Sequence, residues 1–366
     1  MVTNRHIGWI DDARTLTMLL VIIGHCTYLN IMTPYGGISY FENVPSTEYS
    51  ILWKLLTAMV SFIYTFHMPL FMMLSGVCFS LTLKKVSGML PLLKNKSKRL
   101  LIPFLFTALL VSIPLKYVSG YYAHSTNVLH DIVLGQLLLM GNSHLWFVFS
   151  LFWIFLLYYG LYKLKVTTRW FFIPFLVCLS LSASFMGNKG IEFMGIIAAF
   201  KHLFYFAFGF KYLYRIDTQK WGGQILLLNS ICYVILFFLD QELSDSNLLV
   251  SKVICFFLTL IMGTYGSIIM INIAKKIGNF HALKSNNVYK TFSKHSYELY
   301  LFSDPFNYIL IYMMYVWVGN YVIDNDASLL SFLTRFFGTI FLAFVVIWIK
   351  NKIISVIFSY GTIRKS

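Results

Sequence analysis

The sequence predicts an all-α, polytopic membrane protein with about ten transmembrane helices and both termini cytoplasmic. Three observations predict it. Of 366 residues, 58% are apolar and only 12% are charged, where a soluble domain carries about a quarter. Mean hydropathy is +0.72, too apolar for a soluble fold to cover. Apolar runs recur from 15 to 349 without a polar block large enough for a soluble domain, so 1–366 reads as one membrane domain with a core of about 5–350.

Crossing about 30 Å of hydrocarbon takes roughly 20 mostly apolar residues, and a helix satisfies its own backbone where lipid offers no partner. Ten segments meet this test. The first, 14–32, follows Arg5 and Arg14; Asp11 and Asp12 precede it, and with no small-residue cleavage site after it, no removable signal peptide is expected. The stretch 47–60 reads as an interfacial or re-entrant lead-in to the second, 60–83. A basic cluster, Lys84, Lys85, Lys94, Lys96, Lys98 and Arg99, separates this from 100–118. The fourth helix, 144–163, is followed by Lys163, Lys165 and Arg169, then by 169–187 and 194–214. Lys211, Arg215 and Lys220 lead into 221–239, and 249–273 is followed by Lys275, Lys276, Lys284, Lys290 and Lys294. The last two are 297–318 and 329–349, after which come Lys350, Lys352, Arg364 and Lys365.

Lysine and arginine stay on the cytoplasmic side. With the N-terminus inside, those segments hold 23 of the 29 basic residues, while Glu42, Glu48, Asp240, Glu242, Asp245, Asp324 and Asp326 fall outside. Trp9, Trp53, Trp146, Trp170, Trp221, Trp317 and Trp348 fall near helix ends, as interfacial anchors do. The net charge of +15 lies in short clusters between apolar runs, which fits lipid headgroups and argues against nucleic acid. All five cysteines, Cys26, Cys78, Cys178, Cys232 and Cys255, sit inside apolar runs without paired spacing, so no disulfide framework and no metal site is expected.

An ionisable residue inside a spanning helix is costly and defaults to a functional hypothesis. His25 lies eleven residues after Arg14, about 16 Å along a helix and so near mid-membrane; a hydrogen-bonded packing histidine is the bland alternative. Gly24 beside it permits close approach. His67 precedes Pro69, which breaks the helical ladder, and a broken helix lines a cavity. His144 with Trp146 marks the outer start of the fourth helix, where the pair reads as a site or the tryptophan only as an interface anchor. Lys96 and Arg99 read as a topology signal, or as a clamp for the phosphates of a nucleotide-like donor. Asp304, between Ser303 and Pro305, could orient an imidazole; alternatively its side chain satisfies backbone groups freed at the kink. Arg335, near an outer helix end, reads as snorkelling.

Taken together, Trp9-Ile10-Asp11-Asp12-Ala13-Arg14, Gly24-His25, and Phe66-His67-Met68-Pro69-Leu70-Phe71 with Leu74-Ser75-Gly76 resemble the opening of the acyltransferase type 3 superfamily. Its signature is an arginine or lysine, ten intervening residues and a histidine, matched by Arg14 and His25. His144-Leu145-Trp146-Phe147 resembles a motif of the sugar O-acetylase branch, and Ser296-Tyr297-Glu298-Leu299-Tyr300-Leu301-Phe302 resembles the late serine-tyrosine motif, so the resemblance runs from 5 to about 310. Lys96 and Arg99 stand where the family has two arginines, which weakens bidentate phosphate binding; Asp304 stands before the proline where histidine is common.

The resemblance implies O-acylation of a polysaccharide or lipid-linked sugar of the cell envelope by a multi-pass plasma (inner) membrane enzyme. The donor it implies is cytoplasmic acetyl-CoA or another acyl-CoA, as a substrate; no bound cofactor is expected. His25 and Arg14 would be the catalytic pair, with His25 as general base; Arg14 with Lys96 and Arg99 would hold the donor, and His67, His144, Trp146 and Asp304 would line the acceptor cavity. Midplane histidines and broken helices also describe a transporter of glycans or lipid-linked sugars. A passive scaffold predicts that His25 is dispensable.

Overall fold

The computed structural model describes residues 8–41, 49–141, 143–213, 221–246, 248–280, 284–319 and 325–363. Arg5, Glu42, Glu48, Arg215, Lys220, Asp324, Arg364 and Lys365 lie outside the described residues, as does the side chain of Asp326. The chain is an all-α polytopic membrane protein. Among the described residues, seven helical stretches are long and apolar enough to cross a membrane: Ile51–Lys85, Met89–Val118, Trp146–Lys163, Ile196–Leu213, Gly223–Ser244, Val250–Ile277 and Ser328–Ser355.

The first helix, α1, spans Gly8–Gly24, earlier than the expected 14–32. A short antiparallel hairpin follows, β1 (Ile31–Thr33) against β2 (Gly36–Ile38). Next comes α2, Ile51–Tyr64, whose N-terminus is capped by the Ser50 hydroxyl accepting from the Trp53 amide at 3.0 Å. The stretch expected as a lead-in is therefore largely a helix in its own right. Trp53, expected at the lipid interface, is 2% exposed, because it packs beneath the hairpin with Leu29, Ile38 and Phe41.

Four prolines shape the path. Pro69 has no N–H for the Thr65 carbonyl and its ring crowds that turn, so the helix breaks at Phe66 before α3, His67–Thr82. In α4, Met89–Val118, the ladder widens to i→i−5 over Ser97–Leu101 and Ala108–Ser112, just before Pro103 and Pro114. The Arg99 carbonyl that Pro103 leaves without its amide accepts from Tyr297 Oη at 3.3 Å. Pro305 lies inside an unbroken helix, and the partner it needs carries much of the site's geometry.

After the short α5, Val128–Leu137, come α6 (Trp146–Lys163), α7 (Phe172–Asn188), α8 (Ile196–Leu213), α9 (Gly223–Ser244), α10 (Leu249–Ile277), α11 (Asn287–Val318) and α12 (Asn325–Ile363). Helices α1 and α7, 17 residues each, and α11, made less apolar by Ser303, Asp304 and Asn307, complete the bundle. Helices α3 and α8 touch backbone to backbone. A Cβ on Gly76 would stand 2.1 Å from the Phe206 carbonyl, and one on Gly209 2.1 Å from that of Met73; only glycine permits this approach. Gly24 is less demanding, since its Cβ would meet Tyr64 at an ordinary 3.5 Å.

Candidate functional site

The site begins with what Pro305 removes. Its missing N–H leaves the Leu301 carbonyl without a helical partner, and the ring of His144 supplies one, Nε2 to oxygen 2.9 Å. The side chain of Asp304 does not fill this vacancy. A carbonyl only accepts, so His144 Nε2 carries a hydrogen and Nδ1 turns to Asp304 Oδ2 at 3.2 Å. His144 is 6% exposed and Asp304 4%. The Tyr300 hydroxyl donates to the His144 backbone carbonyl and fixes the start of α6 from α11.

His25 was expected in mid-helix and instead sits just past the end of α1, its amide bonded to the Val21 and Ile22 carbonyls at 3.2 and 3.1 Å. What ends the helix is Arg335. This residue does not snorkel: it is 0% exposed and donates to the His25 carbonyl at 2.6 Å, the Tyr28 carbonyl at 2.7 Å and Asn307 Oδ1 at 3.0 Å. A buried guanidinium thus takes carbonyls that a continuing helix would have used, where the helix dipole is negative. The turn brings His25 Nδ1 to 3.7 Å from Asp304 Oδ1, while Tyr28 Oη donates to the same oxygen at 3.0 Å. One carboxylate therefore stands between two imidazoles. The Nδ1 atoms of both histidines are buried without a partner in hydrogen-bond geometry.

His25 and His144 open onto a cavity of about 860 Å³ that His67, Trp146, His202, Tyr64 and Tyr300 also line. His67 heads α3 at the break, its Nδ1 3.0 Å from the Ile63 carbonyl. Trp146 faces the His202 ring at 5.1 Å.

Arg14, Lys96 and Arg99 lie elsewhere. Lys96 and Arg99 line a second cavity of about 280 Å³, near the other end of α3, about 18 Å from His67 at 1.5 Å per residue. Lys96 Nζ sits 3.2 Å from the centroid of the Phe155 ring. Arg14 donates to Cys78 Sγ at 2.9 Å and approaches Asp11 at 3.6 Å. Cys78 is the chain neighbour of Phe79, which lines the second cavity. The structure thus joins His25, His67, His144 and Trp146 around one space; Asp304, expected in the lining, sits behind the two histidines instead, and Arg14, Lys96 and Arg99 lie apart from it.

Sequence reasoning missed Tyr28, His202 and Lys116 and misread Arg335. Lys116 is 0% exposed, donates to Gln136 Oε1 at 3.1 Å and lies over the rings of Tyr121 and Tyr308. The available signal was the cost of a cation inside an apolar run, which applies equally to Arg335 and Lys116. Arg335→Met should leave three oxygen acceptors without donors and destabilise the protein by about 3 kcal/mol or more. Thermal unfolding in detergent checks this; a midpoint equal to wild type would remove the anchoring role.

Over residues 7–352 the chain matches the family model described as an acyltransferase domain. No curated protein and no solved structure matches it.

Proposed function

This chain belongs to the acyltransferase 3 family and is a membrane acyltransferase, and from that premise we propose that it moves an acetyl or similar acyl group from cytoplasmic acyl-CoA to a hydroxyl of a surface polysaccharide or lipid-linked sugar. The observation that carries the proposal is the placement of His25 and His144 on either side of Asp304, at the wall of the larger cavity.

In this reading the acceptor occupies the larger cavity. With Nδ1 turned to Asp304, Nε2 of His25 is the nitrogen left to meet the acceptor. It takes the hydroxyl proton as that oxygen attacks the thioester carbonyl, and Asp304 stabilises the imidazolium that forms. The tetrahedral intermediate then expels the CoA sulfur, which takes the proton from His25. One ester forms, one thioester breaks and the imidazole returns neutral. His144 holds Asp304 in place from the other side.

The donor enters at the smaller cavity, where Lys96 and Arg99 contact its phosphates and Arg14 stands on the path between the two ends of α3. Both termini are cytoplasmic and the protein resides in the plasma membrane, so the cavities face opposite sides. The family assignment and the carboxylate-oriented histidine favour transfer over transport.

The test uses lipid-reconstituted protein, radiolabelled acetyl-CoA and a crude surface-glycan extract. Alkali-labile label on glycan is expected; no label together with no acyl-CoA binding would put a glycan transporter first. Charge reversal at both Lys96 and Arg99 should raise the acyl-CoA concentration at half-maximal rate by about tenfold or more. An unchanged donor dependence would return both residues to topology and lipid contact.

A further inference from the structure

The 23 cytoplasmic basic residues of the topology leave six of 29: Lys54, Lys116, Lys189, Lys201, Lys252 and Arg335. Charge bias does not explain these six, and four of them gather at the site. Lys116 and Arg335 are buried beside the histidine cluster, and Lys201 and Lys252 line the larger cavity, from α8 and α10. No aspartate or glutamate lines that cavity, and among the described residues no carboxylate pairs with either lysine. Asp240 meets the lining Cys255 and Asp304 stands behind the two histidines, but the four cations outnumber these two acids and give the space a positive potential that a low-dielectric wall strengthens. Next to Lys201, the His202 ring meets Trp146 at 5.1 Å, so an aromatic face accompanies the charge.

We propose that the larger cavity is an anion-selective sugar site, in which Lys201 and Lys252 hold an acidic group of the acceptor while Trp146 packs against its ring. The acidic group is either a carboxylate on the sugar itself or the phosphate that joins a sugar to its lipid carrier; both are oxyanions that an ammonium recognises. This rests on the acyl-transfer reading in one respect, that the larger cavity is the acceptor's. The geometry gives the anion a purpose beyond affinity: clamped from α8 and α10, it turns a neighbouring hydroxyl toward His25, which lines the same cavity.

Binding alone tests the proposal, so its failure is separable from a failure of acyl transfer. The full chain in lipid nanodiscs would be titrated with a galacturonic acid trimer, with the same trimer as its methyl ester, and with galactose joined through phosphate to a short isoprenoid. The acid trimer or the phosphate-linked sugar should bind about tenfold more tightly than the ester, the combined worth of two exposed charge contacts, and the preference should shrink as salt rises. Which of the two is preferred identifies the source of the anion. Lys201→Gln with Lys252→Gln should erase the preference, and Lys201→Arg with Lys252→Arg should keep it. Both lysines are exposed, so these variants are expected to keep the wild-type unfolding midpoint. Equal binding of acid, phosphate and ester, or a preference that survives the double glutamine variant, overturns the proposal.

Discussion

The His25→Ala protein is expected to fold and insert as the wild type does and to lose acyl transfer by about 10²- to 10⁴-fold, the usual worth of a positioned general base. The structure separates the two outcomes cleanly. Arg335 grips the His25 backbone carbonyl, which alanine retains, and His25 Nδ1 has no hydrogen bond to lose. The turn that follows α1 therefore survives the substitution, and the change removes an imidazole at a cavity wall while leaving the wall standing. Transfer measured in proteoliposomes, beside thermal unfolding of the same preparation, gives both readings. Normal transfer by a folded His25→Ala protein would falsify the base role and revive the scaffold reading, whereas lost transfer with an unchanged unfolding midpoint assigns the loss to chemistry.

Most of the helical architecture was legible because lipid makes one demand of every spanning segment, a long apolar run, and this survives without any knowledge of neighbours. The end of α1 was not. Residues 25–32 read as apolar continuation, and what stops the helix is a guanidinium 310 positions away taking the His25 carbonyl. Arg335 itself was misread for a related reason. Depth along a helix can be counted from its boundary, but α12 is apolar almost throughout, so periodicity does not say which side of it faces inward. Trp53 shows the same loss of rotational information. At the site, the histidines and Asp304 each stood out singly as expensive groups in an apolar setting. Their assembly did not, because it depends on a contact between the start of α6 and the middle of α11, 157 positions apart, through a carbonyl that Pro305 exposes. Proline as a kink was legible; proline as the maker of an acceptor for His144 required the fold.

Asp304→Asn is the substitution that asks whether the carboxylate's charge matters or only its shape. Asparagine preserves the shape: its Oδ1 can still accept from Tyr28 Oη, and its amide can donate to Nδ1 of a neutral His144 whose Nε2 remains on the Leu301 carbonyl. Every hydrogen bond of the buried cluster has a replacement, so the unfolding midpoint should move little. What disappears is the negative charge 3.7 Å from His25 Nδ1, which in a water-poor interior is the principal compensation for a proton arriving on that ring. The variant should therefore lose about 10²-fold or more in kcat. The acyl-CoA concentration at half-maximal rate should stay as in the wild type, since Lys96 and Arg99 line a cavity near the far end of α3. A merely structural aspartate predicts the reverse, a lowered midpoint with kcat per folded molecule intact. An Asp304→Asn protein that transfers at the wild-type rate would show that His25 needs no charge partner and would overturn the catalytic role of Asp304.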